Sequence, residues 1–206
     1  MQPATEPDDG KVTERRRDVA RAGHIGDTPT ARAGLSDPAP TVRSTALGAL
    51  ERLGVLTNAD LTDGLADEDP SVRRRAAELA AAHPGVLLVP ALDDADPSVV
   101  EMAAWAAGER EEVAAVDRLA RLATGDSGHG DPLCREAAVA ALGAIGDPAG
   151  LPAVLAALDD KPAIRRRAAV ALAAFEGPDV EAALRRCLDD RDWQVRQVAE
   201  DLLAVD

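Results

Sequence analysis

Apolar residues recur along this chain at helical spacing in six similar segments. Each segment can be aligned on one apolar anchor, and the six anchors are Val42, Val72, Val99, Cys134, Ile164 and Val195. An alanine stands four positions after every anchor, and apolar residues follow again at seven and eight positions. Residues at these intervals lie on one side of an α-helix, so each segment is predicted to be a helix with one buried stripe.

The residues ahead of each anchor predict where these helices begin. A proline, which costs nothing in the first turn of a helix, stands two positions before five of the anchors, at Pro40, Pro70, Pro97, Pro132 and Pro162. Aspartates that directly precede this proline are predicted N-caps, and they are Asp69, Asp96 and Asp131. The sixth segment has Trp193 instead of proline and keeps Asp192. Second apolar patterns lie between these helices, so each copy is predicted to be two helices joined by an acidic turn.

A helical hairpin of this size cannot bury its own apolar stripe, so the copies are predicted to stack into an all-α solenoid. Residues 19–27 resemble residues 139–147, but three arginines at 15–17 precede them. We interpret this part as a polar half-repeat that caps the first copy. We expect residues 1–11 to be a disordered tail, because they are polar, and residues 12–206 to form a single repeat domain.

Composition supports closely packed helices and limits the partners. The chain has one Phe, no Tyr and two Trp, and its 37 acidic residues against 23 basic ones give a net charge of −14. The electrostatic field of this negative charge repels polyanions, which argues against nucleic acid as the main partner. The two cysteines lie far apart in apolar patterns, and no apolar run approaches a membrane span. We therefore expect a cytoplasmic monomer with buried thiols and with no cofactor, metal or membrane contact.

These segments resemble HEAT repeats, in particular the short bacterial and archaeal kind known from phycobilisome lyase subunits. The feature that carries the resemblance is an aspartate in the turn with an arginine six residues later. Four copies have both: Asp37 with Arg43, Asp67 with Arg73, Asp159 with Arg165, and Asp190 with Arg196. The resemblance implies that these eight residues form a hydrogen-bonded ladder between repeats. The third copy has Val100 in place of the arginine, and the fourth keeps Arg135 but has His129 in place of the aspartate.

Enzymes of this architecture need residues that the sequence lacks. HEAT-type hydroxylases bind two irons through His-Glu dipeptides, whereas the three histidines here precede Ile, Pro and Gly. The resemblance to lyase subunits leaves action on a chromophore or protein substrate as an alternative, although no residue identifies a reaction. Arginine clusters at 15–17, 73–75 and 165–167 leave nucleic-acid association as a second alternative.

Two acidic features allow a functional and a structural interpretation. The loop 124–131 could hold a metal or a phosphate through Asp126, His129 and Asp131, or it could be a flexible glycine-rich connection. The repeated acidic turns could form a cation-binding ridge, or their aspartates could serve as helix caps and ladder partners. We favour the structural interpretation of both features, so no catalytic, cofactor or metal residue is assigned.

The resemblance places the second helix of each copy on the concave side of the solenoid. Positions two and six after the anchor lie about 145° to 175° from the buried stripe. The predicted partner-binding residues at these positions are Arg74, Glu78, Glu101, Trp105, Glu136, Ala140, Arg166 and Val170. Trp105 is either a binding hot spot or packs onto the next repeat, in the space left by Val100. The sequence thus predicts a non-catalytic scaffold that binds another protein.

Overall fold

The computed structural model describes residues 9–124 and 128–204. Within these ranges the chain consists of helices and turns and contains no β-strand, which confirms the all-α prediction. The chain divides into two compact units, one up to Leu87 and one from Leu88 onward.

The first unit is a stack of short helices. They are α1 (Asp9–Ile25), α2 (Thr28–Ala33), α3 (Pro40–Arg52), α4 (Asn58–Leu65) and α5 (Pro70–Ala80). The helices α1, α3 and α5 pack in that order, whereas α2 and α4 pack against the helix that follows each of them. The hairpins α2–α3 and α4–α5 are thus two of the predicted repeats.

The boundary of the predicted N-terminal tail needs a correction. Helix α1 begins at Asp9, so residues 9–11 are helical and not disordered. An acidic residue in the first turn suits the positive end of the helix dipole, which allows the helix to start in this polar stretch. Residues 1–8, the remainder of the predicted tail, lie outside the described residues.

The second unit has two layers of helices. They are α6 (Pro97–Glu109), α7 (Val116–Ala123), α8 (Pro132–Ile145), α9 (Leu151–Ala157), α10 (Pro162–Ala171), α11 (Pro178–Cys187) and α12 (Trp193–Leu203). The helices α6, α8, α10 and α12 pack side by side in chain order. Each of α7, α9 and α11 packs against the helix that follows it. This arrangement places the second helices of four successive copies next to one another.

The third copy departs from the predicted pair of helices. A 3-10 turn, Val89–Asp93, takes the place of its first α-helix. Pro84 and Pro90 lie in this stretch, and neither has a backbone N–H to donate to a helical hydrogen bond. The prediction of two α-helices in every copy is therefore wrong for this one.

The buried stripe predicted from the sequence is the contact surface between helices. All six anchors and all six alanines that follow them are buried. Small residues also let helices approach closely: a Cβ atom added to Gly143 on α8 would lie 2.6 Å from the Cβ of Ala171 on α10. Cys134 and Cys187 are buried in this core, and burial raises the pKa of the Cys134 thiol to about 11.

The helix starts follow the predicted capping pattern. The aspartates directly before α5, α6, α8 and α12 each accept a hydrogen bond from the backbone N–H two residues later, and these N-caps are Asp69, Asp96, Asp131 and Asp192. The bonds are 2.9 to 3.0 Å long. The N-cap predictions are confirmed, and these carboxylates are therefore occupied by helix termini.

Candidate protein-binding face

Arginines at the position after the anchor connect successive copies within each unit. Arg43 donates from Nε and Nη2 to the Asp67 carboxylate of the next copy, at 2.8 and 2.7 Å. Its Nη1 donates to the backbone carbonyl of Asp37 in its own turn at 3.0 Å. The same two-pronged ion pair joins Arg15 to Asp37, Arg135 to Asp160, and Arg165 to Asp190. We call these four pairs the arginine ladder.

The ladder differs from the predicted set in particular residues. Asp160, and not Asp159, accepts the bonds from Arg135, because the turn of the fifth copy is one residue shorter than the others. Arg15 and Arg135 belong to the ladder although they were not assigned to it. His129, which stands where an aspartate was expected, supplies its backbone carbonyl to Arg135 at 2.7 Å. An aspartate side chain is thus unnecessary at this point, because the main chain provides the acceptor.

The two other predicted arginines, Arg73 and Arg196, also donate to the main chain of their own turn. Arg73 donates from Nη1 to the backbone carbonyl of Asp67 at 2.9 Å. Arg196 donates in the same way to Asp190 at 2.7 Å. Within one copy, therefore, the arginine contacts the main chain of its aspartate, and the carboxylate of that aspartate faces the preceding copy.

The ladder should make stability depend on pH in the acid range. Hydrogen bonds from Arg15, Arg135 and Arg165 lower the pKa of Asp37, Asp160 and Asp190 below the ordinary value of 3.8. The unfolded chain therefore binds more protons than the folded chain once the pH falls to about 4. We expect a constant free energy of unfolding above about pH 5, and a progressive loss as the pH falls through the folded-state pKa values.

Urea unfolding between about pH 7 and pH 3, followed by circular dichroism, would measure this loss. The Arg165→Ala chain is the control, because its Asp190 has lost the arginine hydrogen bonds that are the largest cause of its lowered pKa. Its stability should fall less steeply with acid. A wild-type chain that gains stability below pH 5 would contradict the assignment.

The exposed side of three neighbouring helices carries the predicted binding residues of the second unit. This side, which we call the α6–α8–α10 face, bears Glu101, Trp105, Leu133, Glu136, Ala140, Arg166, Arg167 and Val170. Trp105 is 44% exposed and Val170 is 50% exposed, with Ala140 partly exposed at the equivalent position between them. The structure thus places an apolar strip on adjacent helices, at the positions where the helical register predicted it.

Leu133 belongs to this face but was not among the predicted residues. It is 55% exposed and stands one position before its anchor on α8. Two residues seven apart on a helix project in nearly the same direction, so Leu133 and Ala140 share one side of α8. This spacing in the sequence was the signal that could have identified it.

A shallow depression of about 360 Å³ lies between α8 and α10 on the same face. Val170, Arg167 and six small residues line it, and the small residues are Ala140, Gly143, Ala144, Ala171, Ala173 and Ala174. Its size suits an apolar side chain from a partner. The depression exists because α8, α10 and the 3-10 turn after α10 carry glycine and alanine where larger residues would fill the space.

The charged residues of the face differ in whether they already have partners. Arg167 lies 3.5 Å from the Glu136 carboxylate on the neighbouring helix. Arg166 contacts the side chains of Gln194 and Asp192. Glu101 makes no side-chain hydrogen bond or ion pair with any of residues 9–124 and 128–204. The arginines are thus largely neutralised within the protein, and Glu101 is not.

The two other predicted residues, Arg74 and Glu78, lie on α5 in the first unit. Arg74 is exposed, and Glu78 pairs with Arg75 at 2.8 Å. The apolar strip, by contrast, belongs to the second unit.

The described part of the chain offers little for other kinds of site. Across it, no group of three or more His, Cys, Asp or Glu side chains is arranged to hold a metal ion. In the loop 124–131, the His129 ring accepts a hydrogen bond from the Asp131 N–H at 3.1 Å, and Asp126 lies outside the described residues. None of the helices in the described ranges has the length and apolar character of a membrane span.

The repeated hairpins match a known family. A family model described as HEAT repeats matches residues 58–129 and 127–204. The chain belongs to the HEAT repeat family. Comparison with curated protein sequences finds no match.

Solved structures resemble this HEAT repeat chain over most of its length. The complex of CpcE and CpcF of phycocyanin lyase from Nostoc sp. PCC7120 is 25% identical, with a TM-score of 0.60, over 85% of this chain and 75% of that one. YibA of Escherichia coli is 18% identical, with a TM-score of 0.63, over 99% and 77%. A designed armadillo repeat protein in complex with the peptide (KR)4 is 17% identical, with a TM-score of 0.53, over 97% and 95%. These similarities establish the α-solenoid fold.

Proposed function

We propose that this HEAT repeat chain is a non-catalytic scaffold that holds another protein on its α6–α8–α10 face. One observation carries the proposal: Trp105, Leu133 and Val170 are each about half exposed on adjoining helices. Apolar side chains with a charged rim are typical of the centre of a protein interface. A large aromatic residue within such a patch is the usual hot spot.

The charges of the chain support a protein partner over nucleic acid. Nucleic-acid binding needs arginine and lysine side chains that are free to contact phosphates. Arg135 and Arg165 are bound in the ladder, and Arg166 and Arg167 contact acidic side chains. The net charge of −14 adds a repulsion that acts on any polyanion.

Two of the similar structures are themselves complexes of repeat proteins. CpcE is bound to CpcF in one, and a peptide is bound to the designed armadillo protein in the other. They support the proposal by showing that folds of this kind present surfaces to proteins and peptides. They leave the identity of the present partner open.

The proposal is tested with the double substitution Leu133→Glu and Val170→Glu. Wild-type and variant chains serve as baits in extracts of the source cells, and a protein retained only by the wild type is then purified. Its Kd is measured by calorimetry against both chains. We expect binding to weaken about tenfold or more, because two carboxylates replace apolar contacts at the interface.

A matched control uses Ile25→Glu, which places the same charge on a similarly exposed aliphatic residue of α1, a helix that is not part of the face, 61% against 50% exposed. This variant should bind as the wild type does. Circular dichroism confirms that each variant is folded before its Kd is measured. Equal affinities of the wild type and the folded double variant for the purified partner would overturn the proposal.

A lyase-like role is the second candidate, favoured by the 25% identity to the phycocyanin lyase complex. It predicts a coloured covalent product when the chain is incubated with phycocyanin polypeptide and a bilin chromophore. Unchanged absorption spectra after such incubation would dismiss it without affecting the scaffold proposal.

A further inference from the structure

Helix α6 carries a tryptophan between two glutamates at the spacing of one helical turn. Glu101, Trp105 and Glu109 are four residues apart, so they follow one another along the same side of the helix. Trp105 and Glu109 are exposed, and Glu101 is partly exposed. An indole surface open to solvent therefore has a carboxylate on either side.

In the part of the chain that the structure describes, both carboxylates lack a partner. Among residues 9–124 and 128–204, no side chain or backbone group makes a hydrogen bond or an ion pair to the carboxylate of Glu101 or of Glu109. Arg110, the basic residue next in sequence, pairs with Glu112 at 2.8 Å and is directed into the protein, with a side chain only 8% exposed. The acceptors of this helix are thus available to a group from outside.

The chain contains a second exposed tryptophan that lacks this environment. Trp193 is 65% exposed, but the neighbouring Asp192 carboxylate caps α12 through the Gln194 N–H at 3.0 Å. Arg166 and Arg191 line the same depression as Trp193. A cation would meet two guanidinium groups there, whereas at Trp105 it would meet two unpaired carboxylates.

We propose that Glu101, Trp105 and Glu109 form a docking site for an arginine or lysine side chain of the protein partner. This inference rests on the scaffold function proposed above and specifies the chemistry of the partner. The flat face of an indole attracts cations. A carboxylate next to it accepts charge-assisted hydrogen bonds from the same guanidinium or ammonium group. The partner segment is therefore basic as well as apolar, and the net charge of −14 speeds its approach.

The test uses the full chain with Trp193→Phe, so that Trp105 is its one tryptophan. The probe is a short blocked peptide of leucine and alanine with a single arginine, and the matched peptide has citrulline in place of arginine. Binding is followed by Trp105 fluorescence and by the indole N–H signal in NMR. We expect saturable binding of the arginine peptide, weakened by salt, and about tenfold weaker binding of the citrulline peptide.

Substitutions in the chain test whether the Glu101 and Glu109 carboxylates bind the arginine of the peptide. Glu101→Gln with Glu109→Gln should weaken binding of the arginine peptide about tenfold. Glu176→Gln with Glu200→Gln removes the same charge from two exposed positions elsewhere and should leave it unchanged. Equal binding of the two peptides, or an unaffected Glu101→Gln, Glu109→Gln chain, would overturn the inference. So would a dimer in sedimentation that Trp105→Ala dissociates, because a second copy would then occupy this site.

The Kd of the purified partner for the two sets of variants distinguishes this inference from the scaffold proposal. A Kd that responds to Leu133→Glu and Val170→Glu but not to Glu101→Gln and Glu109→Gln refutes the cation site and leaves the scaffold function standing. A Kd that responds to neither pair refutes both. A Kd that responds to both pairs supports both.

Discussion

Replacing Arg165 by alanine is expected to lower the free energy of unfolding by about 3 kcal/mol. The Arg165 side chain is only 6% exposed and donates to the Asp190 carboxylate and to the Asp160 backbone carbonyl. Its removal leaves a largely buried carboxylate without its guanidinium and a carbonyl without its donor. Both groups then bear a desolvation cost that the folded state no longer offsets.

The adjacent residue provides a matched control for this prediction. Arg166→Ala removes the same side chain from the next position, where it is 41% exposed. Exposed ion pairs contribute little, so this change should cost less than about 1 kcal/mol. Urea unfolding of the two variants measures the difference. Equal losses would show that the ladder is not a special source of stability.

Arg165→Lys offers a finer test of the same geometry. A lysine keeps the charge but cannot donate from two parallel N–H groups to one carboxylate. It should therefore recover only part of the lost stability. Full recovery would mean that charge alone, and not the forked hydrogen bonding seen at 3.0 and 3.1 Å, stabilises the contact.

The regular parts of the fold could be predicted because local chemistry determines them. A small residue four positions after each anchor, an aspartate cap and a proline in the first turn all act within one helix. They are therefore visible in the sequence as a repeated pattern of residues. The third copy was predicted wrongly because its prolines, Pro84 and Pro90, interrupt hydrogen bonding in a stretch whose apolar pattern still resembles a helix.

Contacts between copies were harder to predict than the copies themselves. Whether Asp159 or Asp160 reaches an arginine depends on the length of one turn, which changes the direction of the side chain. The depression beside Val170 depends on the distance between α8 and α10, which the Gly143 contact with Ala171 sets. The positions of Trp105, Ala140 and Val170 along single helices were enough to predict that they share one side. The shape of the surface around them depends on how the helices pack, so it could not be predicted from the sequence.

Trp105→Ala is expected to weaken partner binding about 30-fold, which is about 2 kcal/mol and typical of an aromatic hot spot. The sequence left open whether Trp105 binds a partner or fills space beside Val100. The packing interpretation predicts a covered indole, yet Trp105 is 44% exposed. We therefore expect the free energy of unfolding to change by only about 1 kcal/mol, well below the loss for a core aromatic residue.

For Trp105→Ala, calorimetry against the purified partner measures the Kd, and urea unfolding of the same preparation measures the free energy of unfolding. Trp193→Ala is the control, because it removes an equally large side chain that is 65% exposed and lies on α12, outside the apolar strip. It should leave the Kd unchanged. A Trp105→Ala chain that unfolds several kcal/mol more easily and still binds normally would assign the residue to packing, because truncation would then have opened a cavity in the core and not removed a contact to the partner.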